Sequence, residues 1–87
     1  MTAPRFRDEA PSGDTLTDYD RAHLKLYLRL LDAEADGAGW QEAAEILFGI
    51  DPAQEPDRAR RMHDSHLARA HWMSECGYKI LRRTGPE

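Results

Sequence analysis

Apolar residues along this chain recur at helical spacing, and no segment alternates apolar with polar for long enough to make a strand. Thr17 has the chemistry of a helix N-cap, with Asp18 and Asp20 placed to meet the unpaired N–H groups of a first turn. From there to residue 35 no Gly or Pro intervenes, and one long helix over 18–35 is predicted. Its wheel carries two apolar stripes. Leu24, Tyr27, Leu28, Leu31 and Ala35 form one, and Tyr19, Ala22, Leu26, Leu30 and Ala33 form the other. Such a helix is either packed on both sides or half used by a partner. A second helix is predicted over 40–48, ended by Gly49, and a third over 57–75 behind Pro56. The third carries a core stripe of Ala59, Met62, His66, Ala70 and Met73, with Leu67 beside it. Residues 78–83 can add a short C-terminal helix.

The fold expected is therefore all-α: a small helix-turn-helix-like bundle of three main helices plus the short C-terminal one. Residues 1–16, with Pro4, Pro11, Ser12 and Gly13 and no apolar period, read as a disordered N-terminal tail. The helical domain is placed at 17–84. With 87 residues there is room for one small core.

Composition narrows the function. The mean hydropathy of −0.77 and the lack of a long apolar run argue against a membrane span or leader segment. A single cysteine, Cys76, leaves no internal disulfide and fits a cytoplasmic setting. Charge is divided unevenly. Residues 1–57 carry thirteen acidic and five basic side chains, whereas residues 58–87 carry three acidic and seven basic, for a total of −4. An acidic body with a basic last third points to a charged partner.

Catalytic and metal chemistry find little footing. His63, His66 and His71 lie on one helix, but only the first two share a face, and structural zinc wants four ligands. The expected role of His66 is a core position, with His63 at its border. Cys76 falls at a helix C-terminus, where the dipole opposes a thiolate. With no phosphate loop or hydrolase signature either, the chain is expected to be neither an enzyme nor a cofactor or metal binder. The third helix offers a better signal. Arg58, Arg61, Ser65, Ala68 and Trp72 make a continuous line along one flank, and Trp and Arg dominate binding hot spots. Whether Trp72 serves there or packs inward is open at this point.

The run Gly39-Trp40-Gln41-Glu42-Ala43-Ala44-Glu45-Ile46-Leu47-Phe48-Gly49, followed by Arg58-x-Arg60-Arg61, Leu67-Ala68-Arg69-Ala70 and Gly77-Tyr78-Lys79-x-Leu81, resembles a known proteobacterial family. That family forms the DNA-binding part of RovC-like transcription factors, and the resemblance covers residues 19–83. It implies a helix-turn-helix variant. As a free-standing acidic domain, the chain is most similar to the QseM type of antiactivator from rhizobial integrative and conjugative elements. That likeness implies quorum-sensing control of horizontal gene transfer, by binding FseA-like and TraR-like transcriptional activators and repressing excision and conjugation.

Charge bears on the choice between reading DNA and binding protein. A DNA reader should be basic over its docking face. Here Glu42 and Glu45 on the second helix, and Asp51, Glu55 and Asp57 before and at the start of the third, would repel a duplex. The same acids suit a basic protein surface. The expected contact residues are therefore Arg58, Arg61, Ser65 and Trp72, with Glu42, Glu45 and Asp57. The alternative is a sequence-specific DNA-binding helix-turn-helix factor with residues 57–75 as the reading helix.

Overall fold

A computed structural model describes residues 6–77, with side chains through Glu75. Four helices are present among them: α1 (Asp18–Ala22), α2 (Leu24–Ala35), α3 (Trp40–Ala43, continued by a π-helical turn over Ala44–Phe48) and α4 (Pro56–Trp72, continued by a π-helical turn over Met73–Gly77). No strand occurs among the described residues. The expected C-terminal helix over 78–83 and the side chain of Cys76 lie outside them.

Thr17 is the N-cap of α1. Its hydroxyl accepts from the Asp20 N–H while the Asp20 carboxylate accepts from the Thr17 N–H, a reciprocal capping box. The single helix expected over 18–35 is broken at His23. The His23 backbone (φ −120°, ψ 24°) leaves the helical region, and its N–H donates to the Asp20 carbonyl three residues back. The capping box ties Asp20 to the first turn, and the same carboxylate is drawn into the core by Arg69 and Tyr27. The short turn it terminates restarts as α2, with the Tyr27 N–H donating to the His23 carbonyl.

The inward face of α2 also differs from expectation. Leu26, Tyr27 and Leu30 are buried, so the core meets α2 between the two apolar stripes, while Leu28 is 63% exposed and Ala35 lies in solvent. Neither stripe is wholly inside. On α4 the expected stripe holds throughout: Ala59, Met62, His66, Ala70 and Met73 are all buried.

α4 is the central element. Its C-terminal half packs with Ala70 and Met73 on Leu26, Tyr27 and Leu30 of α2. Its N-terminal half packs with Ala59 and Met62 on Ala44 of α3 and Ile50 of the following turn. Phe6 and Phe48 lie against both clusters and join them. α3 ends at Gly49 with φ +70°, a left-handed conformation that glycine adopts without strain. The turn into α4 is held by Asp51, whose carboxylate accepts from the Ala53 N–H and whose carbonyl accepts from the Glu55 N–H. Pro56 then opens α4, where its missing N–H leaves no bond unmade.

Residues 6–16 have no helix or strand, but they lie along the bundle as a strap. The Phe6 ring meets Phe48 edge-on at a centroid distance of 5.1 Å and His23 at 5.5 Å. The Arg7 N–H donates to the Tyr19 hydroxyl, and the Ala10 N–H to Ser65 Oγ. The composition that suggests a mobile tail does not reveal these contacts. They run through backbone groups and one aromatic ring, which leave no periodic signal in sequence.

Candidate functional site

The polar interior of the protein is built around one carboxylate. Asp20 is fully buried and accepts at both oxygens. Oδ1 takes the Tyr27 hydroxyl at 2.8 Å and Arg69 Nε at 3.0 Å, and Oδ2 takes Arg69 Nη2 at 2.7 Å and the Thr17 N–H and hydroxyl at 2.9 and 3.0 Å. Burial alone raises the Asp20 carboxyl, but hydrogen bonds from Arg69, Thr17 and Tyr27 outweigh it and hold it down to about 2. Burial, and then donation to Asp20, push the Tyr27 hydroxyl well up. The hydrogen bond to Asp20 keeps Arg69 firmly charged. This ion pair joins α1 to α4 across the core.

Arg69 does more than meet Asp20. Nη1 donates to the Gly13 carbonyl at 2.8 Å and Nη2 to the Thr15 carbonyl at 2.7 Å. The guanidinium also lies 3.9 Å over the Trp72 ring centroid, a cation–π contact. One side chain thus fixes α1, the end of the strap and the indole. In sequence Arg69 stands in the basic last third and in the run Leu67-Ala68-Arg69-Ala70, neither of which marks it as buried. The available signal was its register: it lies three residues after His66 and four before Met73, close to the core stripe, where a guanidinium requires a buried carboxylate.

A second network adjoins the first. His66 is fully buried, its Nδ1–H donating to the Met62 carbonyl at 2.7 Å and its Nε2 accepting from the Tyr19 hydroxyl at 2.6 Å. Burial lowers its pKa, consistent with a neutral ring having one donor and one acceptor nitrogen. Tyr19 stacks on His23 at 4.1 Å. His63 pairs with Asp64 at 2.8 Å, and His71 with Glu34 at 2.8 Å. Among the described residues no three metal-binding side chains converge.

The flank of α4 picked out by sequence is a real line, and the strap lies on much of it. Arg58 is about half exposed and pairs with Asp8 of the strap at 2.9 Å and with Glu55 at 3.0 Å. Ser65 is half-buried under Ala10. Trp72 is half-buried, packed against the α2–α4 core on one side and Arg69 on the other. Ser65, Ala68, Arg69 and Trp72, with strap residues 9–14, line an open cleft of about 480 Å³. Arg61 is exposed and forms no ion pair among the described residues.

The remaining arginine at this end, Arg60, pairs with Asp64 at 3.1 Å and lies 5.3 Å from the Trp40 ring centroid. On α3, Glu42 and Glu45 are exposed beside Ile46, itself 68% exposed. Glu42 borders a shallow groove between α2 and α3 with Arg29, Asp36 and Ile46. Asp57 is exposed in the first turn of α4. The expected contact residues therefore fall on two faces, Glu42 and Glu45 on α3 and Arg58, Ser65 and Trp72 under the strap.

With α3, the turn and α4 in this order, the chain has the outline of a helix-turn-helix. Residues 2–83 match the family model described as T6SS, Transcription factor, DNA binding domain. The chain belongs to this RovC DNA-binding-domain family. The match takes in the strap as well as the helices, so the family pattern begins well before α1. A search of curated proteins found no match. In the helix-turn-helix outline α4 is the second helix, and no helix among the described residues is long and apolar enough to cross a membrane.

Proposed function

We propose that this member of a transcription-factor family regulates transcription without catalysis, by binding a protein rather than by reading DNA alone. The observation that carries this reading is where the cations of α4 go. Arg58 is taken by Asp8 and Glu55, Arg60 by Asp64 and Arg69 by Asp20. Arg61 is left to face solvent, Asp57 stands exposed in the first turn of the same helix, and Glu42 and Glu45 stand exposed on α3. Counterion release, the main source of affinity for a duplex, has little to work with on such a face. A basic protein surface, such as the DNA-docking face of an activator, has complementary charge.

On the resemblance to QseM-type antiactivators, the partners are FseA-like and TraR-like activators. The outcome is repression of excision and conjugative transfer of a mobile element from the cytoplasm. The expected result is that the protein releases such an activator from its promoter fragment, more effectively at low ionic strength than at high, with no shift of the fragment by the protein alone. Sequence-selective binding of the fragment by the protein alone would overturn the reading. It would favour the DNA-binding alternative that family membership supports.

A further inference from the structure

We infer that the outer face of α2 is a self-association surface, on which a second copy of this chain lies antiparallel about a two-fold axis. The inference goes beyond the proposed function and does not rest on it. Lys25, Arg29, Asp32 and Asp36 recur at spacings of four, three and four, so they line one helical face. All four are exposed, and none forms an ion pair among the described residues. Their order is unfavourable within one chain. The cations stand in the N-terminal half of α2, toward the positive end of the helix dipole, and the acids toward the negative end. Like charges also neighbour each other at four-residue spacing, Lys25 with Arg29 and Asp32 with Asp36.

An antiparallel copy turns these conflicts into attraction. With the two-fold beside residues 30 and 31, Lys25 meets Asp36 of the other copy and Arg29 meets Asp32, and each pair occurs twice. The apolar surroundings fit the same symmetry. Leu28 and Ile46 are the large hydrophobic side chains left exposed among the described residues, at 63% and 68%. They flank the charged line on opposite edges. Leu28 borders a groove between α2 and the end of α4, and Ile46 borders the groove that α3 forms beside Arg29 and Asp36. When two antiparallel helices are related by a two-fold, each edge meets its own copy. Leu28 therefore lies beside Leu28 and Ile46 beside Ile46, closing over the ion pairs from both sides and reducing their screening by solvent. α2 has 12 residues, about 18 Å of helix, so the contact is small and an affinity on the order of tens of micromolar is expected.

The test is sedimentation velocity of the full-length protein from about 5 to about 500 μM, a range that brackets such an affinity. The wild-type mass is expected to climb from 9.9 kDa toward twice that value. Lys25→Asp with Arg29→Asp makes the face wholly acidic, and Asp32→Lys with Asp36→Lys makes it wholly basic. Each variant alone should associate at least about tenfold more weakly than the wild type. An equimolar mixture of the two should form a one-to-one dimer at least as tight as the wild-type one, which also shows that neither variant has lost its fold. Leu28→Ser with Ile46→Ser should weaken wild-type association while leaving Tm within about 2 °C, since both side chains are exposed.

A wild-type protein that stays at 9.9 kDa across the range would overturn the inference. So would self-association that neither charge variant weakens, or a mixture of the two that fails to associate. A face that copies of this chain leave alone, but whose reversal abolishes binding to an activator protein, would likewise assign it to a different occupant. Release of an activator from its promoter fragment is a separate readout and tests the proposed function instead, so the two failures can be told apart.

Discussion

Two Asp–Arg pairs tie the N-terminal third of this protein to α4, and they differ in almost everything but chemistry. Asp20–Arg69 has side chains 0% and 3% exposed and saturates the carboxylate with five hydrogen bonds from three residues. Asp8–Arg58 sits at 50% and 46% exposure, and Arg58 shares itself with Glu55. The first is part of the core and cannot open without leaving a charge in an apolar place. The second is in water on both sides and can exchange partners at small cost. The same residue types thus serve as a fixed joint at one end of the strap and a releasable contact at the other.

The largest effect expected is at the buried pair. Arg69→Met leaves Asp20 uncompensated and should cost about 3–5 kcal/mol in urea unfolding, enough to unfold much of so small a domain. Asp20→Leu combined with Arg69→Met should recover part of that loss, since an apolar pair leaves no orphaned charge. A loss below about 1 kcal/mol for Arg69→Met alone would remove the contrast between the two pairs.

Next come the aromatic anchors. Phe6→Ala and Trp72→Ala each remove a half-buried ring and should cost about 1–3 kcal/mol, less than a fully buried one. A free tail would make Phe6→Ala silent, so this variant asks directly whether the strap is seated.

Acid should act through His66 first. Its folded pKa lies below the ordinary 6.5 because of burial, so the unfolded chain binds the proton more readily. Stability should therefore fall as pH drops below 6.5, and His66→Gln should flatten that slope between pH 7 and 5. Asp20 works lower. Its stabilisation is complete above the ordinary 3.8 and is lost as pH falls through about 2, so it adds no slope in the same window. The smallest effect is at the exposed pair, where Asp8→Ala should leave Tm within about 2 °C.

The contrast explains what could be read from sequence. The stripe of α4 and the stop at Gly49 were legible, because helical period and a left-handed glycine are local signals. The break at His23 was not, since no Gly or Pro marks it; there His23 Nδ1–H donates to the Tyr19 carbonyl, and Asp20 is held across the fold by Arg69. For the same reason Leu28 looked like core. A helix with two apolar stripes can turn either inward, and only the packing of Leu26, Tyr27 and Leu30 decides it. Trp72 was left between core and interface; in the fold it is half-buried, one side on the core and the other on Arg69.

The central claim is that the arginines of α4 other than Arg61 are satisfied by carboxylates of this chain and do not read DNA. The direct measurement is the affinity of the wild-type protein for duplex DNA as a function of salt concentration. The account predicts weak binding in which Arg61→Ala flattens the salt slope by about 1 and Arg58→Ala and Arg60→Ala do not. Nanomolar binding with a slope of about −4 or steeper, which needs Arg58 and its neighbours on phosphates, would contradict it.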